Sequence, residues 1–301
     1  MSNLTLEQPC PAPHGQRDRA MVFGDHDHLV GVATLPDNSD GPTPLESGKP
    51  AIIMMTPGML HHVGPNRMYV QFARRLSQEG FHSFRFDLSG IGESLAVGTS
   101  GTSLERATSE AIDAMDLLQS EFGIQNFVLF GLCSGADDSI HTALQDDRVT
   151  GAVLLDACGF RTRRYYWRRA WSHYLPRVFR PFVWSRFFRR FFNRFRSENS
   201  TPGSLAVGDD IREFPDRDQA AREIQSLVDR NVKMRFVYTG GVGEYYNYEN
   251  QFRDMFHDVE FGNHVSWKYF YKFDHVATLC EDRKLLLTDI VDWTKSTFGT
   301  H

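Results

Sequence analysis

The chain of 301 residues has only four cysteines with which to form cross-links. The four cysteines, Cys10, Cys133, Cys158 and Cys280, are scattered with no C-x-x-C spacing. That argues against a disulfide framework or a cysteine zinc site and fits a reducing compartment. No apolar run approaches the roughly 18 residues of a membrane span. The opening MSNLTLEQPCPAPHGQRDR has no basic start followed by an apolar stretch. Residues 1–19 are therefore read as a flexible polar arm rather than a secretory signal, and a cytoplasmic location is expected. There is no phosphate-binding loop; Gly90-Ile91-Gly92 lacks the third glycine of a dinucleotide fingerprint, and Gly240–Gly243 does not match it either. No cofactor is expected. No metal is expected either, since His26 and His28 read as polar residues flanking a tight turn.

One absence is local. Between Arg161 and Arg196 there is no acidic residue and no lysine, while 12 of the chain's 33 basic residues are arginines of this stretch. Elsewhere 21 basic residues face 38 acidic ones. The same stretch is crowded with Tyr, Trp and Phe. A strongly basic segment on an acidic body calls for a partner or an internal counter-charge.

What is present alternates. A hairpin is expected over 20–35 and a loop over 36–49. Apolar runs predict buried strands at Ala51–Thr56, Asn126–Phe130 and Val149–Leu155, with further strands at Phe81–Asp87, Val232–Thr239 and Val265–Phe273. Helical spacing marks Met68–Leu76, a helix opened by the capping box of Thr102 and Glu105 and running to Phe122, and Ala136–Leu144. Further helices are expected at Asp218–Asn231, Tyr245–Phe256 and Glu281–Phe298. Strand–helix alternation of this kind implies an α/β fold, a mostly parallel sheet with helices on both faces.

The centre of the chain is Asn126–Ala136, N-F-V-L-F-G-L-C-S-G-A. A strand runs without a gap into a helix through Gly131-Leu132-Cys133-Ser134-Gly135. This is the pattern of a nucleophile elbow, where small residues are needed two positions either side of a nucleophile on a sharp turn. Gly131 and Gly135 meet that need when Cys133 is the centre. Centring on Ser134 would put Leu132 and Ala136 at the tight positions.

With this elbow, F-D-L-S-G-I-G-E-S at 86–94 and F-D-H at 273–275, the chain resembles the α/β-hydrolase superfamily, in particular its serine-aminopeptidase-like and lipase-like members. It departs from them in carrying Cys where most have Ser; dienelactone hydrolases, polyester synthases and the acyl shuttles of peptide-synthetase pathways are similar in that respect. The stretch Pro57–Ser94 also resembles small bacterial hydrolases associated with exopolysaccharide or secondary-metabolite gene sets. The resemblance implies an α/β-hydrolase core over 20–159 and 213–301, with residues 160–212 as an inserted helical cap. It also implies the order nucleophile, acid, histidine. His275, after the last strand, is the expected histidine. The acid is expected after the strand ending at Thr239, where Glu244 is the carboxylate; Asp156, ending the preceding strand, is the fallback, and Asp254 a further rival. The oxyanion hole would take the N–H of Ser134 and that of Met59, with Leu60 as fallback. His61 and His62 are open between pocket lining and plain loop.

The expected function is acyl transfer through a Cys133 thioester, by a thioesterase, esterase or acyltransferase. The acyl group would ride on an anionic carrier, an acidic carrier protein or coenzyme A, read by the arginines. A membrane surface is a further candidate partner of the cap, and nothing beyond charge points to nucleic acid. The rival expectation is a non-catalytic member of the fold that docks an acidic partner or membrane through its basic cap.

Overall fold

The computed structural model describes residues 17–36, 48–96, 101–171 and 215–299. Residues 1–16 of the expected arm and most of the expected cap lie outside the described residues, while Arg17–Arg19 of that arm belong to the first strand, paired in the sheet. Strands β1 (Arg17–Phe23) and β2 (Leu29–Leu35) form the expected hairpin. Six further strands follow: β3 (Ala51–Met55), β4 (Ser83–Asp87), β5 (Phe127–Leu132), β6 (Val149–Leu155), β7 (Lys233–Thr239) and β8 (Val265–Phe270). They join one eight-stranded sheet in the order β1-β2-β4-β3-β5-β6-β7-β8. From β4 to β8 every pair is parallel, and β2 meets β4 antiparallel. All parallel strands therefore end on one edge of the sheet, which gathers the loops that follow them.

The continuous apolar runs still obey a period of two. Ile53 and Met55 pack into a core cluster on one face with Phe84, Phe127 and Leu129, whereas Ile52 and Met54 pack into a second cluster on the other with Val128 and Phe130. Helices α1 (Met68–Gln78), α2 (Ser103–Phe122), α3 (Ser134–Gln145), α4 (Arg163–Arg169), α5 (Arg217–Asp229), α6 (Gln251–Met255) and α7 (Cys280–Phe298) complete the described helices. α2, α3 and α5 supply the first cluster, α1 and α7 the second. The capping box of α2 is formed in both directions, Thr102 Oγ1 accepting from Glu105 N–H and the Glu105 carboxylate from Thr102 N–H.

Two elements are shorter than their sequence suggests. The helix expected over Tyr245–Phe256 exists only at Gln251–Met255. Aromatic packing outweighs helical spacing before it: Tyr246 stacks on Tyr238 with ring centroids 3.9 Å apart, and Gln251 Nε2 donates to the carbonyls of Phe160 and Tyr245. β8 ends at Phe270, not Phe273, because the chain reverses there: Phe273 N–H donates to Phe270 O and the two rings stack at 4.6 Å. That reversal turns the next residues, including His275, back over the sheet edge.

Candidate active site

β5 delivers Cys133 to this edge. The residue has φ 57° and ψ −121°, a backbone region that costs of order 1–3 kcal/mol for a non-glycine residue. Its N–H donates to Leu155 O at 2.9 Å, and Ala136 N–H donates to its carbonyl, which fixes the turn from strand to helix. The flanking glycines are sterically required. A Cβ on Gly131 would lie 2.0 Å from Gly135 O, and one on Gly135 would lie 2.8 Å from Met55 O. Cys133 is half-buried and sits at the N-terminus of α3, whose partial positive charge favours a thiolate.

His275 hydrogen-bonds Cys133 on one side. On the other its Nδ1–H donates to Asp156 Oδ2 at 2.7 Å. These two bonds, first to Asp156 and then to Cys133, push the imidazole up to about 10 against the opposing effect of its partial burial. His275 is therefore held as an imidazolium across the neutral range.

Glu244, the residue expected to face His275, does not do so; Asp156 does. The reason lies in the loop after β7. Gly240 and Gly241 lie directly beneath the histidine segment, where a Cβ on Gly241 would be 2.2 Å from His275 N and one on Gly240 would be 2.2 Å from Tyr271 O. There is no room at that point for a side chain that could orient the ring. The loop leads Glu244 outward, and its carbonyl, not its carboxylate, is engaged, accepting from Arg161 Nε at 2.9 Å and from Tyr165 OH. Asp254 is also elsewhere, accepting from Tyr248 OH at 2.6 Å.

Asp156 is built for the task. It follows β6 directly, has φ 51°, and is fully buried. Its Oδ1 accepts from Thr239 N–H at 2.7 Å and its Oδ2 from Thr239 Oγ1 at 2.8 Å. Its own N–H donates to Val237 O. A strained, buried carboxylate is retained because both oxygens are bonded. The sequence signal was a carboxylate closing a strand that ends in the apolar run Ala152–Leu155, matched by a threonine closing the next.

The loop after β3 faces the elbow. Gly58 N–H donates to Ser134 Oγ at 2.8 Å, and Leu60 N–H turns back to Pro57 O at 3.1 Å. Leu60 N–H is thus occupied, whereas Met59 N–H has no partner among the described residues. Ser134 is the first residue of α3, where an N–H finds no acceptor within the helix. These are the two donors expected of an oxyanion hole.

His61 and His62 anchor the same loop. His62 N–H donates to Asp87 Oδ1 at 2.5 Å and its Nδ1–H to Asp87 Oδ2 at 2.8 Å, and Glu93 N–H also reaches Oδ2 at 3.1 Å. Burial alone would raise the Asp87 carboxyl, but the bonds from His62 and Glu93 outweigh it and hold it below its ordinary value. Ligand atoms of His61, His62, Asp87 and Glu93 all lie within 4.8 Å of one another. The donors argue for a hydrogen-bonded clamp rather than a cation site: His61 Nδ1 accepts from Val63 N–H, which leaves Nε2 as the protonated nitrogen, 3.6 Å from Asp87 Oδ2.

Residues 48–238, more than half of the chain, match the family described as Serine aminopeptidase, S33. The chain belongs to this family of hydrolases. Its elbow carries Cys133 where the family name specifies serine. No curated protein matches the chain in sequence. Among solved structures, an esterase of Pyrococcus furiosus is similar with 12% identity and a TM-score of 0.58, over 94% of this chain and 92% of the other. A Pseudomonas aeruginosa hypothetical protein shares 13% identity with a TM-score of 0.56, over 98% of both chains. A Xanthomonas campestris α/β serine hydrolase without lid shares 12% identity with a TM-score of 0.51, over 96% and 98%. At such identities the likeness is one of fold, the α/β-hydrolase fold.

Proposed function

We propose that the protein is an acyl-transfer hydrolase, an esterase or thioesterase able to pass its acyl group to a second acceptor, with Cys133 as nucleophile. The observation that carries this reading is the unbroken line Cys133–His275–Asp156 at a strained elbow. Cys133 Sγ attacks the acyl carbonyl as a thiolate. The carbonyl π electrons move to oxygen, and the oxyanion is met by the N–H groups of Met59 and Ser134. As the tetrahedral intermediate collapses, the bond to the leaving group breaks and the His275 imidazolium protonates it, leaving Cys133 as a thioester. Water, or another thiol or amine, then attacks the thioester while His275 takes its proton. Sγ leaves as thiolate, and the imidazolium is restored. Asp156 orients His275 through Nδ1 and stabilises its positive charge. The acyl donor is carried on an anionic group, a reading supported by the arginines of α4, which stand on the same sheet edge.

The test is a mass shift on Cys133. An acyl donor, offered as a thioester or an activated ester, is expected to leave its acyl mass on Cys133 and none on Cys133→Ala. Alkylation by iodoacetamide is expected well below the free-cysteine pKa of about 8.5, and this early reactivity is expected to vanish in His275→Ala. An unreactive thiol, unchanged by that substitution, would sink the reading.

A further inference from the structure

The exposed apolar side chains are not scattered. Ten large ones stand exposed among the described residues, and eight of them follow the carboxyl ends of strands, on the edge that carries Cys133. Met59 and Leu60 follow β3 and Leu95 follows β4. Trp167 and Trp171 lie on α4 and just beyond it, after β6, and Leu279 lies beyond β8. Trp167 is 73% exposed, Trp171 65% and Leu279 64%. The two exceptions are Val22 and Leu285. Isolated exposed apolar residues are ordinary, but a set confined to one edge is not.

The charge on this edge is also uneven. Arg163 and Arg164 open α4 and make no ion pair among the described residues; Arg164 lies over the Tyr248 ring instead, at 5.1 Å. Arg168 joins Trp167, Trp171 and Asn247 around an open cleft of about 500 Å³. α4 itself has no acidic residue. Exposed carboxylates do share the edge, Glu93 and Glu244 among them, so the positive field is concentrated on the α4 side.

We propose that this edge is a docking face for an anionic lipid surface, led by α4, with the tryptophans at headgroup level and the arginines on lipid phosphates. Two features favour a bilayer over a soluble acidic protein. The apolar side chains come from several separate loops around the nucleophile rather than one groove, which suits a broad deformable apolar medium. Trp beside Arg is the composition of interfacial segments, whose aromatic rings lie between hydrocarbon and water. Among the described residues no helix is long and apolar enough to cross a membrane. Docking goes beyond the catalytic proposal and needs no turnover. Together with that proposal, it names a membrane lipid as the source of the anionic acyl donor.

The experiment is co-sedimentation of the full chain, as Cys133→Ala so that chemistry plays no part, with vesicles. One set is phosphatidylcholine alone; the other contains about 30 mol% phosphatidylglycerol. Partition is expected into the anionic vesicles only, decreasing with salt. Arg163→Gln with Arg164→Gln is expected to weaken it about thirtyfold. Trp167→Ala is expected to weaken it at unchanged circular dichroism. Fluorescence of the parent is expected to be quenched by brominated lipid. No partition at low salt, equal partition into neutral vesicles, or capture of an acidic carrier protein without any binding to vesicles would each overturn the proposal. Hydrolysis of a short soluble ester without vesicles is expected of the Cys133 parent and is expected to be lost in Cys133→Ala, and this arm tests the catalytic reading separately.

Discussion

The turn after β6 and the loop after β7 both approach His275, and they do so by opposite means. The first is a single strained residue, Asp156, buried and bonded through both carboxylate oxygens. The second is a glycine floor on which the histidine segment rests, with its carboxylate, Glu244, carried past the site. One supplies charge and the other supplies space. The comparison teaches that the carboxylate facing this histidine can come from the turn after β6 while the loop after β7 serves as its support.

The comparison can be broken most directly at its charged member. Asp156→Asn should lower the rate of Cys133 acylation by about a hundredfold or more, measured by single-turnover mass spectrometry, because an amide cannot stabilise the imidazolium. If Glu244→Gln instead gives that loss, the assignment of the two loops is reversed. The support should be nearly as sensitive. Gly241→Ala places a methyl group against the His275 backbone, so the segment must move, and a loss of about tenfold to a hundredfold is expected with the fold retained by circular dichroism.

The pH dependence sharpens the same contrast. The pKa of His275 is raised in the folded state to about 10 from 6.5. Its contribution to stability is therefore complete below about pH 6.5 and is lost as pH rises through about 10. Thermal melts followed from pH 6 to 11 should show this decline in the parent and a smaller one in Asp156→Asn, which removes the largest cause of the shift. Thr239→Val should cost about 1.5–3 kcal/mol in denaturant unfolding, since the hydroxyl bond to Asp156 is charge-assisted. The smallest effect is expected from Glu244→Gln, within about twofold of the parent rate, as for an exposed residue whose carboxylate touches nothing catalytic.

The elbow was legible because its requirement is local. Gly131 and Gly135 flank Cys133 within five residues, and the close approach that excludes a Cβ occurs inside that span or against the adjacent β3. The parallel sheet was legible for a similar reason, since β3, β5 and all of β6 but Thr150 lack polar side chains and could be buried on both faces. The acid was not, because the choice between Asp156 and Glu244 depends on contact between Gly241 and His275, distant in sequence and brought together only by the reversal at Phe270–Phe273. The missing first turns of the helix expected at Tyr245 have the same origin: stacking of Tyr246 on Tyr238 joins residues that no periodicity connects. The clamp of His62 on Asp87 was visible only as two histidines in a loop.

The bond from Gly58 N–H to Ser134 Oγ ties the loop after β3 to the residue beside the nucleophile, not to the nucleophile itself. The scaffold of the site therefore does not record which atom attacks. A single base change in a codon can exchange sulfur for oxygen at position 133 while the Gly58–Ser134 bond, the elbow glycines and the bonds of Asp156 to Thr239 keep their partners.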